Sequence, residues 1–318
     1  MKGGNKKMSR VKIFSGSSHP ALVKKVCQQL QVSLGSLTIQ EYNNGCFEAI
    51  LKENVCGCPV FLIQTSLPDI HKLHRHLWEL CQMVDAAWKS GAKETIVVMP
   101  YNSYARSDKI HTPGMALSAE LLVKLLEASG MKKFIGVDLH SKEFEKFFSK
   151  KIQVYHLSAL PLTARYLKER ESENTIVLPA DQGATDSARY LAEYLSIPMG
   201  RVEKERISDM KVKIKKIDGE ISGKNVIVVD DEISTGTTIK ILGRKLEQMK
   251  AQSLTVALTH GLFIKRAVED LQKLRILKEI IVTDTVPIFP KTKKILPLKV
   301  LSVAGILART IAKISSAY

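Results

Sequence analysis

The chain has 318 residues, enough for two globular domains or one large one, and its 45% hydrophobic and 25% charged residues are typical of ordinary globular proteins. This composition excludes a fibre and allows a core to form without disulfides or a structural metal. Lys and Arg outnumber Asp and Glu by 48 to 32, and the formal charge of +16 favours anionic partners, namely nucleic acid, acidic lipid or polyphosphate metabolites.

Membrane insertion is not expected, because no apolar run approaches the ~18–20 residues that span a bilayer. The basic N-terminus, MKGGNKKMSR, has no apolar segment behind it. The five cysteines are odd in number and confined to the first part of the chain, which is typical of a reducing compartment. Cys56 and Cys58 have no second Cys or His pair at zinc-site spacing, so they are expected to be reduced thiols. A cytoplasmic protein is therefore predicted.

Short β-branched runs alternate with segments of helical periodicity along the whole chain, which indicates an α/β fold with mostly parallel sheets. The predicted strands are Val11–Phe14, Val60–Gln64, Thr95–Met99, Phe134–Asp138, Thr175–Leu178, Asn225–Val229, Ser253–Leu258 and Ile280–Thr283. The predicted helices are Asp69–Ser90, with Asp69 as its N-cap, Ala116–Ser129, Ala159–Arg170, Thr185–Leu195, Thr238–Met249 and Ala304–Ser315. The boundary between two domains is expected near residues 148–160.

Two polar features of the sequence are interpreted as structural. The basic stretch Lys211–Lys216 is predicted to be a solvated loop. His71, His74 and His76 do not share one helical face, which argues against a metal site. Aromatic residues make up only 6% of the chain and do not interleave with basic ones, so nucleic-acid binding is not expected.

The strongest local signal is VIVVDDEISTGTTI, at residues 226–239. A buried strand delivers Asp230 and Asp231 to the carboxyl end of a parallel sheet, where ligands of open α/β sheets bind. These carboxylates can accept hydrogen bonds from sugar hydroxyls or support hydrated Mg²⁺. The segment that follows can hold a phosphate, because glycine permits a tight turn and hydroxyls and N–H groups gather at a helix N-terminus. Its residues are Ser234, Thr235, Gly236, Thr237 and Thr238.

Seven segments in register make the chain resemble one family over nearly its whole length. Besides the loop, these are FSGSSHP at residues 14–20, PYNSYARSD at 100–108, VDLH at 137–140, DQGA at 181–184, KER at 204–206 and LTHGLF at 258–263. The family is ribose-phosphate diphosphokinase, also called phosphoribosyl diphosphate synthase. Ser234 stands where many members have aspartate, which resembles the archaeal-type branch.

The resemblance implies two similar phosphoribosyltransferase-like domains and transfer of a diphosphoryl group. Residues 1–152 would form the ATP side, and residues 153–318 would carry the ribose 5-phosphate loop, with the last helix packing back on the first domain. The C1 hydroxyl of ribose 5-phosphate would attack the β-phosphorus of ATP, and AMP would leave. Mg²⁺ is the implied cofactor, and a homo-oligomer is the implied assembly.

The family pattern also assigns roles to individual residues of this chain. Lys204 and Arg206 would stabilise the transferring group, on one side of an extended segment. Arg106 would contact the ATP phosphates, and His140 and Asp181 would support the magnesium ions. Apart from the family pattern, residues 107–117 contain Pro113 and Gly114 and few apolar residues, which predicts a mobile loop that could close over ATP.

The match weakens where the family holds the adenine base. Gly45 is present as an ATP-binding residue, but Asn44 replaces aspartate, Cys46 replaces glutamate and Ser107 replaces glutamine. Each buried base contact that is lost costs roughly 1–3 kcal/mol, so the nucleotide preference is expected to differ.

Two other functions remain as alternatives. A phosphoribosyltransferase would share the Asp230 loop but would leave Arg106 and His140 without a task. A catalytically silent regulatory homologue would not need Lys204 or Asp181. Two nucleotide motifs are excluded, because Gly219–Asn225 precedes a strand and lacks Walker spacing, and no dinucleotide-binding glycine pattern is present.

Overall fold

The computed structural model describes residues 11–67, 69, 72–170, 174–208 and 211–317, except the side chains of residues 142, 204–208 and 211–213. These residues form two compact units. The first unit contains the residues up to Leu157, Thr285–Pro287 and the described residues from Ser302 onward. The second unit contains Ser158–Asp284 and Ile288–Leu301.

The first unit is built on a five-stranded parallel sheet with the order β1-β4-β5-β6-β7. Its central strands are continuous apolar runs buried on both faces, and every residue of β4 is buried. The antiparallel pair β2–β3 lies between β1 and β4 in the chain and forms a separate hairpin. The strands are β1 (Lys12–Ser15), β2 (Leu37–Glu41), β3 (Phe47–Leu51), β4 (Pro59–Ile63), β5 (Glu94–Met99), β6 (Lys133–Val137) and β7 (Gln153–Leu157).

Helices cover this sheet and close its core. Each buries the apolar residues that recur at three-and-four spacing, and the core joins Phe14, Leu80, Met83 and Phe134. The helices are α1 (Pro20–Leu30), α2 (Leu73–Lys89), α3 (Ser118–Ala128) and the 3₁₀ helix Lys142–Phe147.

The second unit repeats this design with the strand order β8-β11-β12-β13-β14, again all parallel, and a separate hairpin β9–β10. Its strands are β8 (Thr175–Pro179), β9 (Arg201–Ser208), β10 (Lys211–Asp218), β11 (Asn225–Ile233), β12 (Ser253–Gly261), β13 (Leu277–Thr283) and β14 (Leu298–Leu301). Its helices are α4 (Leu160–Lys168), α5 (Thr185–Leu195), α6 (Thr237–Gln248), α7 (Ala267–Leu271) and α8 (Pro290–Ile295), with a 3₁₀ turn at Gln182–Ala184.

Helix α9 (Ala304–Ser315) follows the last strand of the second sheet but belongs to the first unit, where it packs against α1. Helix α4, which follows the last strand of the first sheet, belongs to the second unit and packs against α5. The helix beside α1 therefore comes from the end of the chain, whereas the helix beside α5 directly precedes its own sheet.

The predicted α/β fold with two parallel-sheet domains is confirmed, and each predicted strand and helix is present with small shifts at its ends. Two details were wrong. Helix α2 begins at Leu73, and Asp69 instead accepts hydrogen bonds from the N–H groups of Lys72 and Leu73 through its backbone carbonyl. The stretch Lys211–Lys216 lies in strand β10, because pairing with β9 and burial of Ile214 outweigh its charge.

Several elements were not predicted, namely β2, β3, β7, β9, β10, β14, α1, α7 and α8. Most are short or lie in partly exposed hairpins and edges, where the apolar alternation is weak. Within the described residues, no helix combines the length and the apolar character needed to cross a bilayer.

Candidate functional site

Strands β8 and β11 bring three carboxylates to the carboxyl edge of the second sheet. Their register pairs Val229 with Pro179, and the N–H of Ala180 donates to the Val229 carbonyl at 2.8 Å. Asp181 therefore follows β8 beside Asp230 and Asp231. The sequence predicts that β11 ends just before the acidic pair. In the structure β11 runs on to Ile233, so the pair lies inside the strand.

Asp230 has a strongly perturbed environment. Its pKa is raised well above the ordinary value because burial disfavours the charged carboxylate, and the negative charges of Asp231 and Asp181 add to the effect. The N–H of Asp231 donates to Asp230 Oδ1 at 3.0 Å, which opposes the shift. The cluster carries excess negative charge that a bound cation or sugar hydroxyls would stabilise.

The loop after β11 turns directly into helix α6. Gly236 is the N-cap, with φ of +72°, a left-handed conformation that glycine adopts without strain. Within the described residues no side chain caps this helix, so its first N–H groups, from Thr237 onward, are presented at the positive end of the helix dipole. The hydroxyl oxygens of Thr235 and Thr237 lie 3.0 Å apart. This geometry suits a phosphate group.

The segment after β12 forms backbone hydrogen bonds with the loop between β11 and α6. The N–H of Ile264 donates to the Ser234 carbonyl at 3.1 Å, and the N–H of Leu262 donates to the Ile233 carbonyl at 2.9 Å. Between α6 and α7, Lys240 and Asp270 form an ion pair at 3.0 Å. These contacts fix the loop backbone, so the loop is held in shape before a ligand arrives.

The KER segment lies in β9. The backbone there is extended, as the sequence predicts, and Lys204 and Arg206 pair in register with Ile214 and Val212 of β10. The side chains of Lys204 and Arg206 lie outside the described part of the chain. Their catalytic roles therefore stay a prediction.

In the first unit, Arg106 lies in a turn after β5 and is exposed. The N–H of Ser107 closes this turn on the Tyr104 carbonyl at 2.9 Å, and Asn102 Oδ1 accepts from the N–H of Tyr104 at 2.9 Å. The Tyr104 hydroxyl lies 2.8 Å from His74 Nε2. Residues 100–117 connect β5 to α3 without a helix or strand, as predicted for the loop after Arg106.

His140 follows β6 and is also exposed. Asp138, two residues earlier, adopts a left-handed φ of +40°, which turns the chain sharply after the strand. Ser141 Oγ donates to Asp108 Oδ2 at 2.6 Å, so the structure joins the His140 segment to the segment that carries Arg106. These two predicted ATP-side residues therefore lie on connected loops.

Gly45 lies at the tip of the β2–β3 hairpin. Its φ is +85°, and its N–H donates to the Tyr42 carbonyl at 3.0 Å. Asn44 Oδ1 accepts from the N–H of Cys46 at 3.0 Å, and both residues are exposed. The two substitutions that depart from the family pattern are therefore compatible with a closed turn.

The structure also shows polar residues that sequence reasoning did not single out. Glu79 is fully buried on α2 and accepts from the Ser17 N–H and Oγ, both at 2.6 Å. The Gln64 carboxamide accepts from the Ser18 N–H at 3.0 Å. In the sequence, the position of Glu79 on the apolar face of α2 could have indicated a buried polar cluster.

His140 and Asp181, the predicted magnesium residues, belong to different units. In the described parts of the chain, no three His, Cys, Asp or Glu side chains are grouped so that they could hold a metal by themselves. A magnesium ion would therefore depend on water and substrate oxygens, as Mg²⁺ commonly does.

An acidic pair and a hydroxyl-rich loop at a helix N-terminus, at the carboxyl edge of a parallel sheet, are typical of α/β proteins that bind sugar phosphates. Comparison with known proteins identifies the family. Residues 11–130 match the model of the N-terminal domain of ribose phosphate pyrophosphokinase, and residues 179–317 match that of the phosphoribosyl synthetase-associated domain.

Full-length relatives support the same family. The chain is 36% identical over 307 residues to a putative ribose-phosphate pyrophosphokinase of Streptomyces coelicolor, covering 96% of this chain and 95% of the relative. It is 34% identical to the ribose-phosphate pyrophosphokinase of Fusobacterium nucleatum, covering 97% and 96% of the two chains. The crystal structure of phosphoribosylpyrophosphate synthetase from Mycobacterium smegmatis matches with a TM-score of 0.89 at 31% identity, covering 97% of this chain and 100% of that one. The chain belongs to the ribose-phosphate pyrophosphokinase family.

Proposed function

We propose that the protein transfers the diphosphoryl group of ATP to the C1 hydroxyl of ribose 5-phosphate, giving phosphoribosyl diphosphate and AMP. The observation that carries this function is the acidic pair in the second half of β11, followed by the uncapped N-terminus of α6. Family membership over nearly the full length supports the same reaction.

Ribose 5-phosphate would bind with its phosphate at Ser234–Thr238 and its hydroxyls toward Asp230 and Asp231. Backbone N–H groups at the start of α6 and the threonine hydroxyls can donate to phosphate oxygens. The carboxylates can accept from the ribose hydroxyls. The raised pKa of Asp230 suits a site where bound ligand or cation compensates the negative charge.

ATP would be bound by the first unit. Arg106 can form paired hydrogen bonds to phosphate oxygens, because its guanidinium is planar and remains charged. The Asp108–Ser141 hydrogen bond holds the Arg106 and His140 segments together, which would position both side chains for one polyphosphate. Gly45 at the hairpin tip would lie by the base.

In the reaction, the C1 oxygen forms a bond to the β-phosphorus while the bond from that phosphorus to the oxygen it shares with the α-phosphorus breaks. AMP leaves with that bridging oxygen, and the C1 hydroxyl loses its proton. Negative charge moves onto the leaving oxygen, so cations must stabilise the transition state. Lys204 and Arg206, two residues apart on an extended strand, would supply that charge.

Mg²⁺ is the cofactor that fits these residues. Asp181, Asp230 and Asp231 lie at one edge of the sheet and offer carboxylate oxygens, the ligand type that Mg²⁺ prefers, and water and substrate oxygens would complete its coordination. His140 and Asp181 would each support magnesium ions, directly or through water. When bound, Mg²⁺ would neutralise phosphate charge and orient the nucleotide.

Several finer assignments belong to this proposal. Ser234 supports placement in the archaeal-type branch, which a phylogeny of full-length relatives would test. The exposed Asn44 and Cys46 at the hairpin tip, together with Ser107, support an altered base preference, testable by comparing ATP, GTP, CTP and dATP as donors. A cytoplasmic location is supported by the five free cysteines, and we propose a homo-oligomer that does not bind nucleic acid.

The test of the function is direct. Protein, Mg²⁺, ATP and ribose 5-phosphate are mixed, and AMP is followed by chromatography. AMP that forms only when ribose 5-phosphate is present supports the proposal. A reaction of a nucleobase with phosphoribosyl diphosphate, without AMP formation, would favour the phosphoribosyltransferase alternative, and no reaction at all would favour a silent regulatory homologue.

A further inference from the structure

His156, on strand β7, makes two hydrogen bonds that link separate segments of the first unit. Its Nε2 accepts from the backbone N–H of Leu139 at 3.0 Å. Its Nδ1 lies 2.8 Å from Glu145 Oε1 on the 3₁₀ helix. The imidazole is partly buried, with 27% of its side chain exposed. Neither His156 nor Glu145 has a role in the proposed chemistry.

The chemistry of the two partners fixes the state of the imidazole ring. A backbone N–H can only donate, so Nε2 must present a lone pair to Leu139. Nδ1 must then carry the proton and donate it to the Glu145 carboxylate. This neutral form, with the proton on Nδ1, is held by both contacts together, and a proton on Nε2 would point at the Leu139 N–H.

The contact lies one residue before His140. The His140 segment leaves β6 through the left-handed Asp138, whose N–H donates to the Leu157 carbonyl at 2.8 Å. On the far side, Ser141 Oγ donates to Asp108 at 2.6 Å. The backbone around His140 is therefore attached at both sides, and His156 provides the side-chain acceptor on the strand side.

We propose that His156, oriented by Glu145, is a positioning residue that sets the backbone of the Asp138–Ser141 turn and so aims His140 at the nucleotide phosphates. This inference rests on the proposed function, because that function gives His140 its role. Outer partners that orient a ligand-binding residue commonly change affinity or activity by about 10-fold to 100-fold when removed.

The experiment compares His156→Leu with His156→Gln in the full chain. The glutamine side chain can place an oxygen acceptor near the Nε2 position and an amide donor toward Glu145, whereas leucine can do neither. Gln153→Leu, an exposed change on the same strand, is the matched control. Thermal melting verifies that each variant folds.

Three readouts are expected to agree. His156→Leu should lower kcat, or the MgATP affinity that calorimetry measures without ribose 5-phosphate, by about 10-fold to 100-fold. Its KM for ribose 5-phosphate should be unchanged. His156→Gln should recover most of the loss, and Gln153→Leu should match the unaltered protein. Nitrogen-15 NMR of histidine-labelled protein should show a ring signal with the proton on Nδ1 that is missing in both His156 variants.

Any of three results would overturn the inference. The first is a leucine variant whose kinetics and MgATP binding equal those of the unaltered protein. The others are a glutamine variant that loses as much as the leucine variant, and a His156 ring protonated on Nε2. If His156→Leu does not fold, the glutamine variant and the NMR signal still decide. An unaltered protein that forms no AMP would refute the proposed function instead, and the NMR measurement would still test the His156 contact.

Discussion

The two units share one strand order but use the carboxyl edge of the sheet in opposite ways. In the first unit, the loop after β1 donates to the protein's own side chains, since Ser17 bonds to Glu79 and Ser18 bonds to Gln64. In the second unit, the corresponding edge carries Asp181 and Asp230, with the uncapped α6 beside them. After β1 and β4 the polar groups of the first unit are satisfied internally, whereas after β8 and within β11 the second unit gathers groups that a ligand could bind. Arg106 and His140, the proposed ATP-side residues, follow β5 and β6 instead.

The two arrangements also differ in their effect on the stability of the folded protein. The buried side chains of Glu79, Gln64 and Ser18 stabilise the first unit through their hydrogen bonds, because a buried polar group costs free energy if left unpaired. The second unit holds Asp230 where burial and neighbouring carboxylates disfavour its charge. A binding site commonly gives up stability in this way, and the ligand restores it.

Lys204 lies in the hairpin β9–β10 of the second unit, and replacing it is expected to have the largest effect. Lys204→Ala should lower kcat by roughly 100-fold to 1,000-fold, as removal of one transition-state donor does, with little change in stability. Steady-state AMP release measures this loss. Lys215→Ala, an exposed lysine on β10, is the control and should keep normal turnover. Normal turnover in Lys204→Ala would remove that residue from the mechanism.

Removing the internal acceptor of the first unit should chiefly affect stability. Glu79→Ala removes the buried acceptor of the Ser17 N–H and hydroxyl and should lower the free energy of unfolding by about 1–3 kcal/mol. Urea denaturation provides the measurement. Glu143→Ala, which breaks an exposed pair with Lys146, should change it by less than about 0.5 kcal/mol. A small effect at Glu79 would show that this buried contact is unimportant.

Glycine has different reasons to occupy the two edges. A Cβ at Gly16 would overlap the buried Gln64 carboxamide, so Gly16→Ala should destabilise the protein by about 1–3 kcal/mol. At Gly236 a Cβ would meet only ordinary contacts, the nearest at 3.4 Å from Ala267 Cβ, but φ is +72°. Gly236→Ala should therefore cost only about 1 kcal/mol while raising KM for ribose 5-phosphate.

Denaturation and kinetics on both glycine variants provide the check. The expected pattern is a larger loss of stability at Gly16 and a selective loss of substrate affinity at Gly236. The reverse pattern would contradict the distinction between the two edges.

The smallest effect is expected for Asp230→Asn, which should stabilise the ligand-free protein. Because the folded-state pKa of Asp230 is raised, the folded protein keeps a proton that the unfolded chain releases above about pH 3.9, and stability falls as the pH rises through that window. Asparagine removes this loss. We expect an increase of about 2–4 °C in Tm at pH 7, the change that roughly 1 kcal/mol produces in a domain of this size.

This stabilisation should disappear below about pH 3.9, where Asp230 is protonated in both states. Thermal melts across the pH range would follow it, and Mg²⁺ with ribose 5-phosphate should raise the Tm of the unaltered protein more than that of the variant. A variant that is less stable at every pH would contradict this account.

The sequence predicted the central strands and the strand–turn–helix order around Gly236 well, because continuous apolar runs and a glycine before a helical pattern are local signals. Phosphate binding by this loop stays a prediction. Hairpin β9–β10 was missed at Lys211–Lys216, since its pairing depends on a partner strand rather than on its own composition. The contacts of Glu79 with Ser17 and of His156 with Leu139 join residues far apart in the chain. Local patterns do not report such contacts.

Binding of ribose 5-phosphate tests the contrast between the two edges most directly. Calorimetry should show one equivalent bound per chain, and Thr238→Val should weaken the affinity by about tenfold, the value of one lost hydrogen bond. Ser18→Ala in the first unit should leave the affinity unchanged. Two equivalents per chain, or an affinity that depends on Ser18 and not on Thr238, would show that the first edge binds the sugar phosphate and would contradict the account.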